Sequence, residues 1–599
     1  MQEAKDILKK YYGYEQFREG QEIIIQKILQ GNDVLGIMPT GAGKSICYQI
    51  PAILSEGITI VISPLISLMK DQVDSLVDLG VNVAFINSSL SYNQYMSVME
   101  KAKKGAYKII YIAPERLETE SFFNLLESIN ISIIAVDEAH CISQWGHDFR
   151  LSYSKISSII DQLEKRPTIV AFTATATPIV SRDIKKLLKL NKPFTLTTGF
   201  DRKNLNFNVS KPNDKMQHLI EYLQDKKSKS GIIYCTTRKN VEAVHQALSE
   251  NGIPCVKYHA GLTEKSRNKN QEDFIYDKVQ IIVATNAFGM GIDKPDIRFV
   301  VHYNMPKNIE SYYQEAGRAG RDGDKSECML FFNSSDIITN KFLIEQGDTD
   351  IDKSNDYKKL NDMVNYCNTE KCLREYILNY FGEKTEIENC ASCSNCNNDF
   401  EMKNITIEAQ KVLSCVKRMR ERFGSNLTID VLKGGNTAKI RQFGFNNIST
   451  YGIMKEYSKD SIKQIISYLV AEGYLNLEGN EYPILTLTNK SYLVLKGQQQ
   501  INVRMEIKKE KEKLRTVEED FDEVLFEILR ATRREFAIQE NMPSYIIFGD
   551  STLKEMCRYY PDTLEKMLEI NGVGKNKLEK YGPKFIEEIQ KYIEEKNGM

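Results

Sequence analysis

The chain has 599 residues, 42% of them apolar and 27% charged, with a formal net charge of −1 at pH 7. At roughly 150 residues per domain this suggests about four domains, and the composition is that of a globular chain, excluding a disordered or collagen-like polymer. The near-neutral balance gives no global pull toward nucleic acid; no apolar run resembles a signal core or a membrane span, and twelve cysteines without a signal suit a reducing compartment, so a soluble, cytoplasmic, disulfide-free protein is expected.

From about residue 33 to 200, β-branched runs (DVLGIM, ITIVIS, VNVAFI, KIIYIA, ISIIAVD, TIVAFTAT) alternate with amphipathic helical patterns. That alternation predicts a parallel sheet covered on both faces. The rhythm returns after about 205 with GIIYC, IPCVKYH, VQIIVAT, IRFVVHY and ECMLFF, giving a second α/β unit and a cleft between the two. Residues 340–400 are polar, partly helical and cysteine-rich. ITIEAQKVLSCVKRMRERF and SKDSIKQIISYLVAEGYLNLE predict helices, the latter running into short strands of a small wing. MEIKKEKEKLRTVEED is a charged linker, and the last 80 or so residues predict short helices. Divisions are therefore expected at 1–205, 206–340, 341–404, 405–515 and 516–599. Residues 405–515 carry 19 Lys/Arg against 11 Asp/Glu, a balance of +8, whereas 516–599 carry 12 against 18, a balance of −6. Phosphate binding is expected to concentrate in the basic module.

Thr40-Gly41-Ala42-Gly43-Lys44-Ser45 follows the first predicted strand and opens a helix, the context of a phosphate-cradling loop. Its glycines admit backbone N–H groups to the phosphates, Lys44 puts a cation on the β/γ oxygens, and Ser45 can ligate Mg²⁺. Met38 stands where the strict motif has its first glycine. Asp137-Glu138 ends a fully apolar strand, so the carboxylates emerge at the sheet edge beside that loop. There Asp137 would hold Mg²⁺ and Glu138 would polarise water. In the second unit, Gln314-Glu-Ala-Gly-Arg318-Ala-Gly-Arg321 offers two arginines, either of which can neutralise phosphoryl charge across the cleft.

The only tryptophan, Trp145, follows the acidic pair closely and is succeeded by Phe149 and Arg150. The segment is polar and Gly-broken, with no period of two or 3.6, which argues against a core anchor. Aromatics and a cation suit stacking on bases and touching phosphates. Cys372, then 17 residues, then Cys390-x2-Cys393-x2-Cys396, supplies four thiolates suited to structural Zn²⁺, with Cys367 a competing ligand.

In order and spacing these motifs resemble the RecQ family of DNA helicases, within helicase superfamily two, over nearly the whole chain. The resemblance implies two tandem RecA-like domains with parallel sheets, then a helical zinc-binding module, a winged-helix domain and a small all-helical C-terminal domain of the HRDC type. It implies that Gln21 reads the adenine edge with Tyr14 and Arg18 packing on its faces, and that Gln314 also serves the nucleotide. It favours Cys372 over Cys367. Ser63-Pro64-Leu65, Pro114-Glu115-Arg116 and the segment Ala284–Asp293 are similar to strand-contacting motifs, and Thr173 and Thr175 to a coupling motif. His140 would report γ-phosphate state, and residues 144–150 resemble the loop that links DNA binding to ATP hydrolysis. The implied activity is ATP- and Mg²⁺-dependent unwinding of duplex or forked DNA by movement along a single strand, 3′-to-5′. Tyr545 and a Lys575/Lys577/Lys580/Lys584 face leave the HRDC module open between weak strand binding and protein contact. A monomer at the nucleoid, with repair or single-strand-binding proteins as partners, is the expected setting.

Overall fold

The computed structural model describes residues 1–64, 66–117, 119–146, 150–212, 214–289, 294–346, 353–397, 400–478, 483–506, 521–540 and 542–597. The first sheet contains β1 (Val34–Ile37), β2 (Ile58–Ile62), β3 (Val83–Ile86), β4 (Ile109–Ile112), β5 (Ile131–Val136), β6 (Thr168–Thr173) and β7 (Phe194–Thr197), all parallel, in the order β3-β4-β2-β5-β6-β1-β7. Its central strands are continuous Ile/Val runs because helices cover both faces. Since β5, β6 and β1 are neighbours, the segments leaving their C-terminal ends converge at one edge, where open α/β sheets bind ligands.

The second sheet contains β8 (Leu205–Ser210), β9 (Gly231–Tyr234), β10 (Cys255–Tyr258), β11 (Ile281–Ala284), β12 (Phe299–His302) and β13 (Ser326–Phe331), again parallel, ordered β10-β11-β9-β12-β13-β8. The sequence pattern misses β7 and β8. Both are edge strands whose runs, FTLT and LNFNVS, alternate with polar residues because they are not buried on both faces.

An unbroken apolar core links the second sheet to the cysteine-rich module through Phe207, Tyr312, Tyr366 and Cys393. The next module has its own core, with helices Thr406–Arg418, Ser425–Lys433 and Lys459–Ala471 and an antiparallel wing of β15 (Leu475–Glu478) and β16 (Ile484–Leu487). The strand β14 (Phe400–Asn404) pairs antiparallel with β17 (Asn502–Glu506), so it joins this module although it precedes the division expected at 404. The last module packs Glu523–Glu540, Asp550–Tyr559 and Lys575–Asn597 around a third core. It docks on the second α/β unit, Lys554 pairing with Asp324 at 3.0 Å and Arg530 donating to Gln280 at 3.3 Å. Among the described residues no helix is long and apolar enough to cross a membrane.

Candidate functional site

The phosphate loop connects β1 to the helix Lys44–Leu54, with Gly41 at φ +87° and Gly43 at φ +79°, conformations that a side chain strains. Met38 is buried, extending β1 by donating its N–H to Thr173 O, so it serves the core rather than the loop. Gln21 lies directly on the loop. Its Nε2 donates to Ala42 O (3.0 Å) and Gly43 O (3.2 Å), while its Oε1 accepts from Arg18 N at 2.9 Å. Arg18 Nη1 donates to Gly41 O, and Tyr14 is exposed. Two of the three residues expected to read the base, Arg18 and Gln21, thus border the loop, with Gln21's amide engaged by backbone carbonyls.

Asp137 and Glu138 follow β5. Burial, and next the charge of Glu138, raises Asp137 to about 6 against the pull of Lys44. Glu138 adopts a left-handed conformation (φ +46°), a strain of about 1–2 kcal/mol for a residue with a Cβ. Its carboxylate approaches His140 Nδ1 at 3.3 Å, and the same nitrogen lies 2.9 Å from Thr173 Oγ1. Burial opposes the charged imidazole, but Cys141 and Glu138 outweigh it and raise His140 above its ordinary value. Thr173 Oγ1 in turn accepts from Thr175 N at 3.2 Å. A polar chain therefore runs from the acidic pair to the end of β6.

Trp145 is 44% exposed, as the lack of periodicity predicted. Its N–H donates to Ser143 Oγ (3.1 Å), and Ser143 Oγ donates to Asp183 at 2.6 Å. Gly146 is obligatory: an added Cβ would sit 2.3 Å from His140 O. Lys359, on the helix Ser354–Asn368 of the cysteine-rich module, straps this loop by donating to Trp145 O (2.6 Å) and Gly146 O (2.8 Å), and Asn355 donates to Gln144 O. Arg150 Nη1 donates to Pro64 O at 3.0 Å, joining the loop to Ser63-Pro64. Phe149, Leu65 and residues 290–293 lie outside the described residues.

The two candidate arginines part company. Arg318 is buried in the second unit and donates to Gly289 O. Arg321 reaches the phosphate loop: a Cβ on Gly41 would meet its Cγ at 3.4 Å. Gln314 lies one turn earlier on the helix Ile309–Ala316. The sequence reading missed Arg202, which donates to carbonyls on both sides of the cleft, and Arg374, which holds the interdomain linker. Neither sits in a motif, and both act on backbone oxygens, which leave no pattern in sequence.

The sulfurs of Cys372, Cys390, Cys393 and Cys396 all lie within 4.8 Å of one another. Four sulfurs at about 2.3 Å round a tetrahedral ion would be about 3.8 Å apart, so the cluster fits zinc. Backbone N–H groups of Glu375 and Cys390 point at Cys372 Sγ and Cys396 Sγ (3.5 and 3.4 Å), the orienting contacts a thiolate site uses. Cys367 stands outside the cluster.

Comparison with known sequences agrees segment by segment. Residues 18–183 match the DEAD/DEAH box helicase family, 214–323 the helicase conserved C-terminal domain, 334–397 the RecQ zinc-binding domain, 399–512 the RQC domain and 522–589 the HRDC domain. The chain is 46% identical over 590 residues to the ATP-dependent DNA helicase RecQ of Bacillus subtilis, covering 98% of both chains. The chain belongs to the RecQ family. RecQ proteins of Pasteurella multocida and Haemophilus influenzae are each 40% identical, covering 99% and 98% of this chain and 94% and 96% of theirs. The RecQ architecture accounts for the module order, and the Cys₄ cluster is its zinc site. In the HRDC module, Lys577 donates to Ile546 O, Lys580 pairs with Glu540, and Lys584 pairs with Glu587 and Glu588. Three of the four lysines of the expected strand-binding face are therefore engaged internally.

Proposed function

We infer that this chain is an ATP-dependent DNA helicase that moves along a single strand in the family's 3′-to-5′ direction and separates duplex or forked DNA. The observation that supports it most is the approach of Arg321 to Gly41, since it sets a cation of the second α/β domain against the phosphate loop of the first. In this reading Gly41, Gly43 and Lys44 hold the phosphates, while Tyr14, Arg18 and Gln21 take the adenine. Ser45 and Asp137 would hold Mg²⁺, which when bound offsets phosphate charge. Glu138 orients water and accepts its proton, and Arg321 stabilises the charge that develops on the transferred phosphoryl group as the cleft closes. Arg318, bonded to Gly289 O, supports the strand-contacting segment. His140, Thr173 and Thr175 relay between Glu138 and the Trp145 loop, so that a bound strand promotes hydrolysis. Zn²⁺ on the four cysteines holds the module that straps that loop. Divisions near 205, 340 and 515, with the third placed before β14 at about 399, a monomeric state, a place at the nucleoid, and repair or single-strand-binding partners complete the reading.

The test is ATP hydrolysis and unwinding with single-stranded DNA, RNA and forked DNA. Lys44→Ala should abolish both activities, and DNA should stimulate more than RNA. Full DNA-stimulated hydrolysis by Lys44→Ala would overturn the reading.

A further inference from the structure

The two α/β domains are joined by residues 198–204, between β7 and β8. Side chains on a linker ordinarily face water, but Phe200 here is buried and two polar side chains are turned onto backbone carbonyls. Arg202 donates to four carbonyls at once: Nη1 to Thr40 O of the phosphate loop and to Gly317 O, both at 3.1 Å, and Nη2 to Ala319 O (3.0 Å) and Gly320 O (2.9 Å). Asn204, two residues on, gives its Nδ2 to Gly320 O (2.8 Å) and Asp324 O (2.9 Å). The turn they grip carries Arg318 and Arg321. It also needs glycine at its apex, since Gly320 has φ +57° and an added Cβ would fall 2.5 Å from Asn204 Nδ2.

The linker is fixed from its other side. Arg374, on the helix that opens at the zinc ligand Cys372, pairs with Asp201 and donates to Arg202 O (3.0 Å), Leu205 O (2.7 Å) and Ser392 Oγ (2.8 Å). Phe200 N donates to Glu383 at 2.7 Å, and Phe200 O accepts from Tyr313 OH at the same distance. With Asp201 engaged by Arg374, the Arg202 guanidinium rests on carbonyl dipoles. A planar fork suits that task, whereas a lysine would present one point of donation.

We propose that Arg202 is a positioning residue of the ATPase, setting the separation of Arg321 from the phosphate loop by holding Thr40 and the Gly317–Gly320 turn in one grip. It acts on hydrolysis only through the arginine it places. The contact to Thr40 is what distinguishes this from a clamp internal to the second domain, because it references the turn to the surface where the phosphates bind. Displacing a charge-stabilising group by about 1 Å costs on the order of 100-fold in rate, so a lost reference should be visible in turnover. The inference rests on Arg321 being the charge-stabilising arginine.

The experiment is a double-mutant cycle on the full-length, zinc-loaded protein, reading single-turnover and steady-state ATP hydrolysis at saturating single-stranded DNA. Arg202→Ala should lower kcat by about tenfold or more, with KM for ATP changed less than about twofold. In an Arg321→Ala background the same substitution should change the residual rate by less than about twofold. Zinc content and strand affinity, which a merely structural loss would move, should hold. Arg202→Lys should lose most of the same turnover while preserving charge, and it carries the cycle if the alanine variant loses zinc. Unchanged kcat in Arg202→Ala, full kcat in Arg202→Lys, or equal losses in both backgrounds would each overturn the proposal. Intact turnover in Arg321→Ala alone would instead remove the reading of Arg321, and the proposal with it.

Discussion

Lys359 offers a direct way to loosen the Trp145 loop without touching the ATP site. Its ammonium, buried and close to Glu310 (3.6 Å), donates to Trp145 O and Gly146 O at 2.6 and 2.8 Å. Burial lowers its pKa, partly offset by Glu310 and Asp356, so desolvation already reduces the value of the strap. Each charge-assisted bond contributes about 1.5–3 kcal/mol before that discount, so Lys359→Met should cost the closed loop about 2–3 kcal/mol in all. At about 1.4 kcal/mol per decade, the open population rises roughly 30- to 150-fold. The amides of Trp145 and Gly146 are bonded to Ser143 Oγ and Ser143 O, so their hydrogen exchange reports that opening. Exchange there should accelerate by this factor while amides of β9 and β12 stay protected. Because Trp145 is the only tryptophan, acrylamide quenching of intrinsic fluorescence should rise in parallel. Unchanged exchange and quenching would refute the strap.

Trp145→Ala should remove DNA-stimulated hydrolysis by about tenfold or more while leaving nucleotide affinity intact, and wild-type stimulation would return the residue to a passive role. Chelating zinc should release the Arg374 helix, lowering both the thermal midpoint and hydrolysis, and re-added zinc should restore both; a chelated protein with full turnover would separate the metal from the linker. Asp522 is held in its charged form by Lys596, Tyr592, Tyr560 and the Leu525 N–H, against the cost of burial, so its pKa falls below the ordinary carboxylate value. A depressed folded pKa contributes stability that is complete above about pH 4 and lost as the pH falls below it. Protection factors in the helix Lys575–Asn597, the exchange rates referred to the intrinsic rate at each pH, should therefore fall between about pH 4 and 2, and Asp522→Asn should flatten that dependence.

Local chemistry was the legible part of this chain. The loop of Gly41–Ser45, the pair Asp137-Glu138 and the cysteines from 372 to 396 each combine a constrained spacing with a residue type that few structural roles require. Trp145 was legible by the absence of periodicity around it, and its exposure agrees. The choice between Arg318 and Arg321 was not, because three residues of chain turn one into the second domain and the other toward Gly41, a difference of direction that only the fold displays. The family resemblance assigns Gln21 to the base, whereas the structure shows its amide on the loop carbonyls of Ala42 and Gly43, a contact with no sequence spacing of its own. Arg202, Arg374 and Lys359 were invisible for a common reason. Each bonds to main-chain oxygens far away in sequence, and such partners can be any residue. The edge strands β7 and β8 escaped because half their side chains face polar surroundings, diluting the apolar signal that marks the buried strands beside them.

The zinc module shares its core with the second α/β domain and is tied toward the first at two separated points, the linker through Arg374 and the Trp145 loop through Lys359. Two fixed points define a line, and bodies joined along a line keep one easy freedom, rotation about it. Sliding of one α/β domain past the other would break both attachments together. Atoms on that line barely shift during a swing, whereas atoms far from it sweep wide arcs. The linker is one end of that line, so it would shift least in such a swing.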